Sequence, residues 1–291
     1  MIVGAWVRSV LSRSPSAITA LVIVTVGTLM LLGEWAAPLR ATVEPKVRRI
    51  ARNLSTGAVS LVIANLLHPL LLLPLVAWAQ REKIGLLHYV HWPRWAELLA
   101  MVVLLDYTLW WWHWANHRVP FFWRFHLVHH VDRDLDTSTA LRFHFGELAL
   151  SIPFRALQVV VIGVDAHGLW LWQTILFASI LFHHSNIRLP ARIERFLVRL
   201  IVTPRMHGIH HSDVAGQTNS NWSSLLSAWD FVHGTSRLDV PQESIRIGVP
   251  AYDDPDDVTL GKILALPFRH PRNDWSRTAI SVILGAGCRK I

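Results

Sequence analysis

The sequence predicts an all-α fold: a polytopic integral membrane protein whose helices carry a histidine-rich helical cap on the cytoplasmic side. Three observations predict it. Of the 291 residues, 52% are hydrophobic and only 16% charged, and the mean hydropathy is positive, a balance foreign to most soluble domains of this length. Apolar runs recur near the roughly 20 residues needed to cross about 30 Å of hydrocarbon. Thirteen of the 17 histidines lie between Trp110 and His233, grouped at helical spacings.

Taken in order, Ile18 to Trp35 and Gly57 to Ala79 are nearly uncharged and read as two spans, joined by a connection from Leu39 to Thr56. Trp95 to Trp112 reads as a third, carrying Glu97 and Asp106. Trp110, Trp111, Trp112 and Trp114, with Phe121, Phe122 and Trp123, form an interfacial aromatic belt at its end. Pro120 is placed to start a helix bearing His126, His129 and His130. After Glu147, Pro153, Arg155 and the stretch Val164 to Gly168 divide an apolar region into two halves. These read as a hairpin that enters the membrane, turns near Asp165 to Gly168 and returns, so that both ends emerge on one side. Thr203-Pro204 has the form of an N-cap followed by proline at the first helical position. Ser212 to Asn221 reads as a loop, Leu225 to Val232 as a short amphipathic segment and Pro250 to Asp257 as an acidic, turn-rich tail.

Charge orients the chain. Met1 to Ala17 carries Arg8 and Arg13, whereas Leu39 to Thr56 carries Arg40, Lys46, Arg48, Arg49 and Arg52, which places that loop in the cytoplasm. Three crossings return the chain to that side, in agreement with Arg118, Arg124, Arg133 and Arg142, and with Arg188, Arg192, Arg195, Arg199 and Arg205 beyond the hairpin. The net charge of +8 therefore reads as orientation and contact with anionic headgroups, not as nucleic-acid binding. The first apolar run lacks a small-residue cleavage pattern, so no cleavable signal peptide is expected. The lone Cys288 excludes an intramolecular disulfide and a cysteine-ligated cluster.

His113 pairs with His117, and the pattern H-x-x-H-H occurs twice, at His126, His129 and His130 and at His207, His210 and His211. Positions i, i+3 and i+4 share a helix face, so each group can aim its imidazoles at one point. Clustered imidazolium ions would repel, and a metal is what holds such rings together in the neutral form. His144, His183 and His184 lack the repeated spacing. His144 and His184 are nevertheless expected to be ligands, and His183 is left open. His68, His88, His91, His167, His233 and His270 are read as structural or interfacial. Asp106 lies two turns before His113 on the same face and is expected to accept a proton from a ligand imidazole, fixing its tautomer. Glu147, Asp213 and Asp230 read as solvated or capping carboxylates. Eight or more imidazoles exceed what one zinc ion takes, which implies two metals. No H-E-x-x-H is present. A metal transporter would carry ligands at mid-membrane depth rather than at span ends. A metal-dependent lipid hydrolase stays open and differs in needing no O2.

The runs DYTLWWWHWANH from Asp106 to His117, HLVHH at His126, TALRFH ending at His144, HHSNIRLP at His183, TPRMHGIHHS at Thr203 and NSNWSSLLSAWDFVHGT from Asn219 to Thr235 resemble, in order, the fatty acid hydroxylase/sterol desaturase superfamily. The resemblance covers Trp95 to Arg269. It makes 95–269 a catalytic domain that includes the hairpin, preceded by N-terminal transmembrane helices in 1–94 and followed by a tail in 270–291. It implies two iron ions, O2 as co-substrate, two external electrons, and hydroxylation or desaturation of a lipid C–H bond. By motif position it implies His113, His117, His126, His129, His130, His184, His207, His210 and His211 as ligands, together with His144. Trp114 replaces the family's usual arginine, and Trp222-Ser223 its Tyr-Gly pair. The chain carries no Gly-rich dinucleotide fingerprint, cysteine cluster or His-Pro-Gly-Gly haem motif, so a separate ferredoxin, cytochrome or reductase is expected to supply electrons, docking on the arginine-rich face.

Overall fold

A computed structural model describes residues 15–272 and Trp275. Arg8, Arg13, Cys288 and most of the tail in 270–291 lie outside the described residues. All regular structure among the described residues is helical apart from isolated β-bridges. Among the described residues three stretches are long and apolar enough to cross a membrane: Ser16–Ala36, Lys46–Tyr89 and Phe145–Ile162. The first two belong to helices α1 (Pro15–Ala36) and α2 (Lys46–Arg81). These leave Val24, Leu29, Leu32, Leu61, Leu66 and Leu70 exposed, the kind of apolar surface that lipid covers.

The expected third span lies within α3 (Arg94–Arg118) but is not among the three. Glu97, Asp106 and the histidines reduce its hydropathy, and it runs through the core, burying Met101, Leu105, Asp106, Trp110 and His113. Val119 leaves the helical conformation, and Pro120 then opens α4 (Pro120–His130) at its first position. The chain thus folds back at the Val119–Pro120 junction.

The hairpin forms from α5 (Phe145–Ile162) and α6 (Ala166–His184). α5 continues through Pro153 and ends at Gly163, whose φ of 83° is left-handed, a conformation glycine adopts without a Cβ penalty. Asp165 then caps α6 by accepting from the Gly168 amide at 2.7 Å. The turn therefore comes slightly earlier than the sequence suggests. Both arms pack against α3, with α5 also against α2 and α6 against α1. Val159, Ile162, Leu169, Trp172 and Leu176 join Met101 and Leu105 in the main apolar core. Short helices follow: α7 (Ala191–Leu197), α8 (Pro204–His210), α9 (Ala215–Thr218), α10 (Ala228–Val232) and α11 (Leu260–Ala265).

Two expectations need correction. The connection from Leu39 to Thr56 is not a loop throughout, because α2 begins at Lys46 and turns Arg49 into the protein, fully buried. The segment read as an acidic tail is part of the cap: Val249, Tyr252, Val258 and Ile263 pack on Leu127, Val128 and Val131 around the first H-x-x-H-H helix.

Candidate metal centre

α3 and α4 meet so that His113 and His117 face His126 and His130, with ring centroids 4.8–5.1 Å apart between neighbours. α8 starts as its sequence predicts: Thr203 Oγ1 accepts from the Met206 amide at 3.3 Å and Pro204 occupies the first turn. The helix is held from outside by Arg40, whose Nη2 donates to the Pro204 carbonyl at 2.9 Å. The same guanidinium lies where a Cβ on residue 208 would stand, so Gly208 lets Arg40 approach the helix, and a side chain there would displace it.

Nine histidines converge in two abutting groups. One holds His113, His117, His126, His130 and His210, the other His129, His184, His207 and His211, and in each the candidate ligand atoms lie within 4.8 Å of one another. Neither H-x-x-H-H motif aims at a single point. The first sends its i, i+4 pair, His126 and His130, to one group and His129 to the other. The second sends His207 and His211 to the second group and His210 to the first. The two groups touch where His130 stacks on His211 at 4.4 Å.

The outer nitrogens of several rings are fixed. His113 Nδ1 faces the Trp222 carbonyl at 2.7 Å, His210 Nδ1 the Ser220 carbonyl at 2.8 Å, His184 Nδ1 the Ile180 carbonyl at 2.8 Å and His126 Nδ1 the Glu147 carboxylate at 2.9 Å. A carbonyl or carboxylate can only accept, so each of these rings carries its proton on Nδ1 and presents a bare Nε2 inward. The Nε2 atoms of His117, His126 and His210, and both ring nitrogens of His130, are buried without a partner. In the second group, His184 Nε2 stands 3.0 Å from both His129 Nε2 and His207 Nε2, and His207 Nε2 stands 3.1 Å from His211 Nε2. Burial, then the neighbouring imidazoles, keeps His129, His130, His207 and His211 well below their ordinary pKa, and burial presses His210 down to about 3. The rings are therefore neutral near pH 7, the form that ligates. Separations of 3.0–3.1 Å match adjacent nitrogens around one ion at a metal–nitrogen bond of about 2.1 Å.

His144, expected among the ligands, joins neither group. Its Nδ1 caps α5 by accepting from the Gly146 amide at 3.0 Å, and its Nε2 donates to the Leu264 carbonyl at 3.1 Å. Both nitrogens are thus engaged. His183 is buried beside His207, with ring centroids 4.1 Å apart, yet also stands outside both groups.

Asp106 meets no imidazole. Its Oδ2 accepts from the Leu226 amide at 3.0 Å and Trp229 Nε1 at 2.7 Å, pinning α10 and the residues before it to α3. The carboxylates that act on the histidines are Glu147, directly on His126, and Asp230. Asp230 is fully buried and accepts from Trp110 Nε1 and from the amides of Trp222 and Ser223, at 2.9–3.0 Å. It thereby fixes the Trp222 carbonyl that holds His113. Glu147→Gln is expected to lower metal affinity or turnover by roughly 10 to 100-fold, as loss of a partner behind a ligand does. Iron titration of the purified variant checks this, and wild-type affinity together with wild-type turnover would refute it.

A second network also escaped sequence reasoning. Arg49 reaches Asp132 at 3.0 Å, Asp134 at 3.8 Å and Asp136, with the guanidinium fully buried. Arg142 donates to the Asn53 side chain at 2.9 Å and the Val128 carbonyl at 2.8 Å. Glu34 of α1 accepts from the Thr137 amide at 2.7 Å and the Asn186 amide at 3.1 Å. The N-terminal helices are thus bolted to the segment that follows His130. The alternating acids of VDRDLD, directly after the first H-x-x-H-H, were the available signal.

The fatty acid hydroxylase family model matches residues 98–235, a range that contains all nine converging histidines. The chain is 28% identical over 159 residues to ornithine lipid hydroxylase OlsE of Rhizobium tropici, covering 54% of this chain and 47% of that protein. Methylsterol monooxygenase 1-3 of Arabidopsis thaliana is 25% identical over 57% of each chain. Alkylglycerol monooxygenase of Homo sapiens is 27% identical over 45% of this chain and 28% of its own length. The chain thus spans about half the length, or less, of these relatives. No solved structure matches it. The family match and these relatives support placing residues 98–235 in the fatty acid hydroxylase/sterol desaturase superfamily.

Proposed function

We propose that this chain is an O2-dependent membrane oxidoreductase that hydroxylates a lipid C–H bond at a pair of histidine-held iron ions facing the cytoplasm. The observation that carries the reading is the convergence of buried imidazoles in two abutting groups, the first with the Nε2 atoms of His117, His126, His130 and His210 unpartnered and the second with neighbouring Nε2 atoms 3.0–3.1 Å apart. Imidazole nitrogens buried this close together, several of them without any hydrogen-bond partner, call for a cation. The relatives named as hydroxylases and monooxygenases support the choice of reaction.

His113, His117, His126, His130 and His210 would hold one ion and His129, His184, His207 and His211 the other. Bound there, iron supplies the activation of O2, and the balance is R–H + O2 + two electrons + two protons giving R–OH + water. The chain's own part is positional. The carbonyls of Trp222, Ser220 and Ile180 and the Glu147 carboxylate keep the imidazole protons on the outer nitrogens, so that no ligand is lost to the wrong tautomer. Trp112, next to His113, lies against Phe122 and Phe154 at 5.1–5.2 Å, an aromatic wall that favours a hydrocarbon chain over water beside the site. A separate ferredoxin, cytochrome or reductase delivers the electrons, and multiple turnovers by the isolated chain with NAD(P)H alone would refute that part.

Hydroxylation is preferred to desaturation because oxygen rebound needs no second hydrogen abstraction. Incubation with isotopically heavy O2, an electron donor and candidate lipids is expected to leave one heavy oxygen in the product. An unlabelled new double bond would make the enzyme a desaturase, and turnover without O2 would replace the reading with metal-dependent hydrolysis.

A further inference from the structure

The membrane-spanning arm α5 carries a guanidinium that the metal site does not use. Arg155 lies eight residues, about 12 Å of helix rise, beyond Glu147, well inside the stretch Phe145–Ile162 that is long and apolar enough to span. Its Nε and Nη1 are buried and have no hydrogen-bond acceptor. The guanidinium lies 4.2 Å from the ring centre of Trp172 on α6, and α2, which carries His68, packs against α5. His68 Nε2 and Trp172 Nε1 are likewise buried without a partner.

No carboxylate on these helices can neutralise Arg155. α2 and α6 contain no Asp or Glu, and the only one in α5 is Glu147, which is committed to His126. A cation–π contact offsets part of the cost of burial but supplies no hydrogen-bond acceptor to Nε or Nη1. A charged side chain inside a membrane segment, beside other unsatisfied nitrogens, marks a place where a partner binds. Charge and donor count define that partner. It brings acceptor oxygens, it is anionic, and it reaches the interior of a helical bundle from the lipid.

We propose that His68, Arg155 and Trp172 form a binding site, inside the bundle, for the anionic end group of a single-chain membrane amphiphile. Carboxylate and phosphate share the required chemistry, since both present paired oxygens to a guanidinium fork. The two unpartnered donors, Nε and Nη1, match the two oxygens of a carboxylate, which is the end group proposed. The site needs neither iron nor O2, so it stands or falls separately from the oxidation reading.

The test uses the full chain, metal-free, in phosphatidylcholine nanodiscs at alkaline pH. Radiolabelled palmitate, methyl palmitate and lysophosphatidate are the probes. Palmitate is expected to bind about tenfold or more tightly than its ester, the value of a charge-assisted hydrogen bond. Arg155→Gln should erase that preference and Arg155→Lys should retain part of it. Tighter binding of lysophosphatidate than of palmitate would assign the site to phosphate. Equal binding of acid and ester by the unmodified chain, as for a site that holds only water, would overturn the proposal, and this comparison needs no variant to fold. An acid preference that survives Arg155→Gln would overturn it as well.

Discussion

Replacing His207 and His211 together by alanine is expected to abolish turnover and to remove about one of two bound iron equivalents, leaving the other in place. The pair supplies two of the four nitrogens in the second group, whereas His210, between them in sequence, belongs to the first. With only His129 and His184 left, that group falls below the three protein ligands that catalytic metal sites keep. The five-histidine group retains all its members. His126→Ala with His130→Ala leaves His113, His117 and His210, three ligands, so it is expected to weaken binding of the other ion without removing it, and His270→Ala, at an exposed position, should change neither metal nor activity. Iron content per chain by elemental analysis, alongside a thermal melt as a folding control, checks the set. A full metal complement after the His207 and His211 double replacement would sink the two-group assignment. Loss of both ions from a chain that stays folded would mean that the groups bind as one unit.

That split between groups is also where reading by spacing stopped short. Helical periodicity was enough to identify the H-x-x-H-H faces and their starts at Pro120 and Thr203-Pro204, because caps and i, i+4 spacing are local properties. It could not say that His129 and His210 each cross to the other group, since that depends on how α4 and α8 sit against one another. His144 is a related case: the resemblance implies it as a ligand although it lacks the repeated spacing, and as the residue before α5 it stands outside both groups with its ring taken by the Gly146 amide and the Leu264 carbonyl. Asp106 was placed on the correct helix face, yet the segment it holds arrives from 120 residues further along the chain. The apolar runs revealed α1, α2 and α5, because hydrocarbon thickness constrains length and composition directly, whereas α6 forms as a helix without being among the stretches long and apolar enough to cross. The role of the arginines in 39–56 was not visible in this way, since a count of positive charges cannot distinguish one facing headgroups from one facing three carboxylates.

Arg49 is where that distinction has the largest consequence. Its guanidinium is completely buried against Asp132, Asp134 and Asp136. Burial alone would raise the Asp132 carboxyl, but Arg49, Arg142 and Arg52 outweigh it and keep that group below its ordinary pKa. Arg49→Ala leaves these carboxylates facing one another without their central cation. Removing one partner from a buried ionic network costs about 3–5 kcal/mol, enough to unfold a marginally stable protein. Chemical denaturation in detergent is expected to show that loss. Arg192→Ala, an exposed arginine with no ion pair among the described residues, should stay within about 0.5 kcal/mol of the parent. Because Asp132 follows His130 by two residues and Arg49 lies near the start of α2, the variant should also bind iron less tightly, although Arg49 is not itself a ligand. If Arg49 instead served chiefly to hold the loop at an anionic membrane surface, stability in neutral detergent would be unchanged and only the dependence on anionic lipid would move. Unaltered denaturation of Arg49→Ala would therefore return this residue to the topological role that its charge alone suggests.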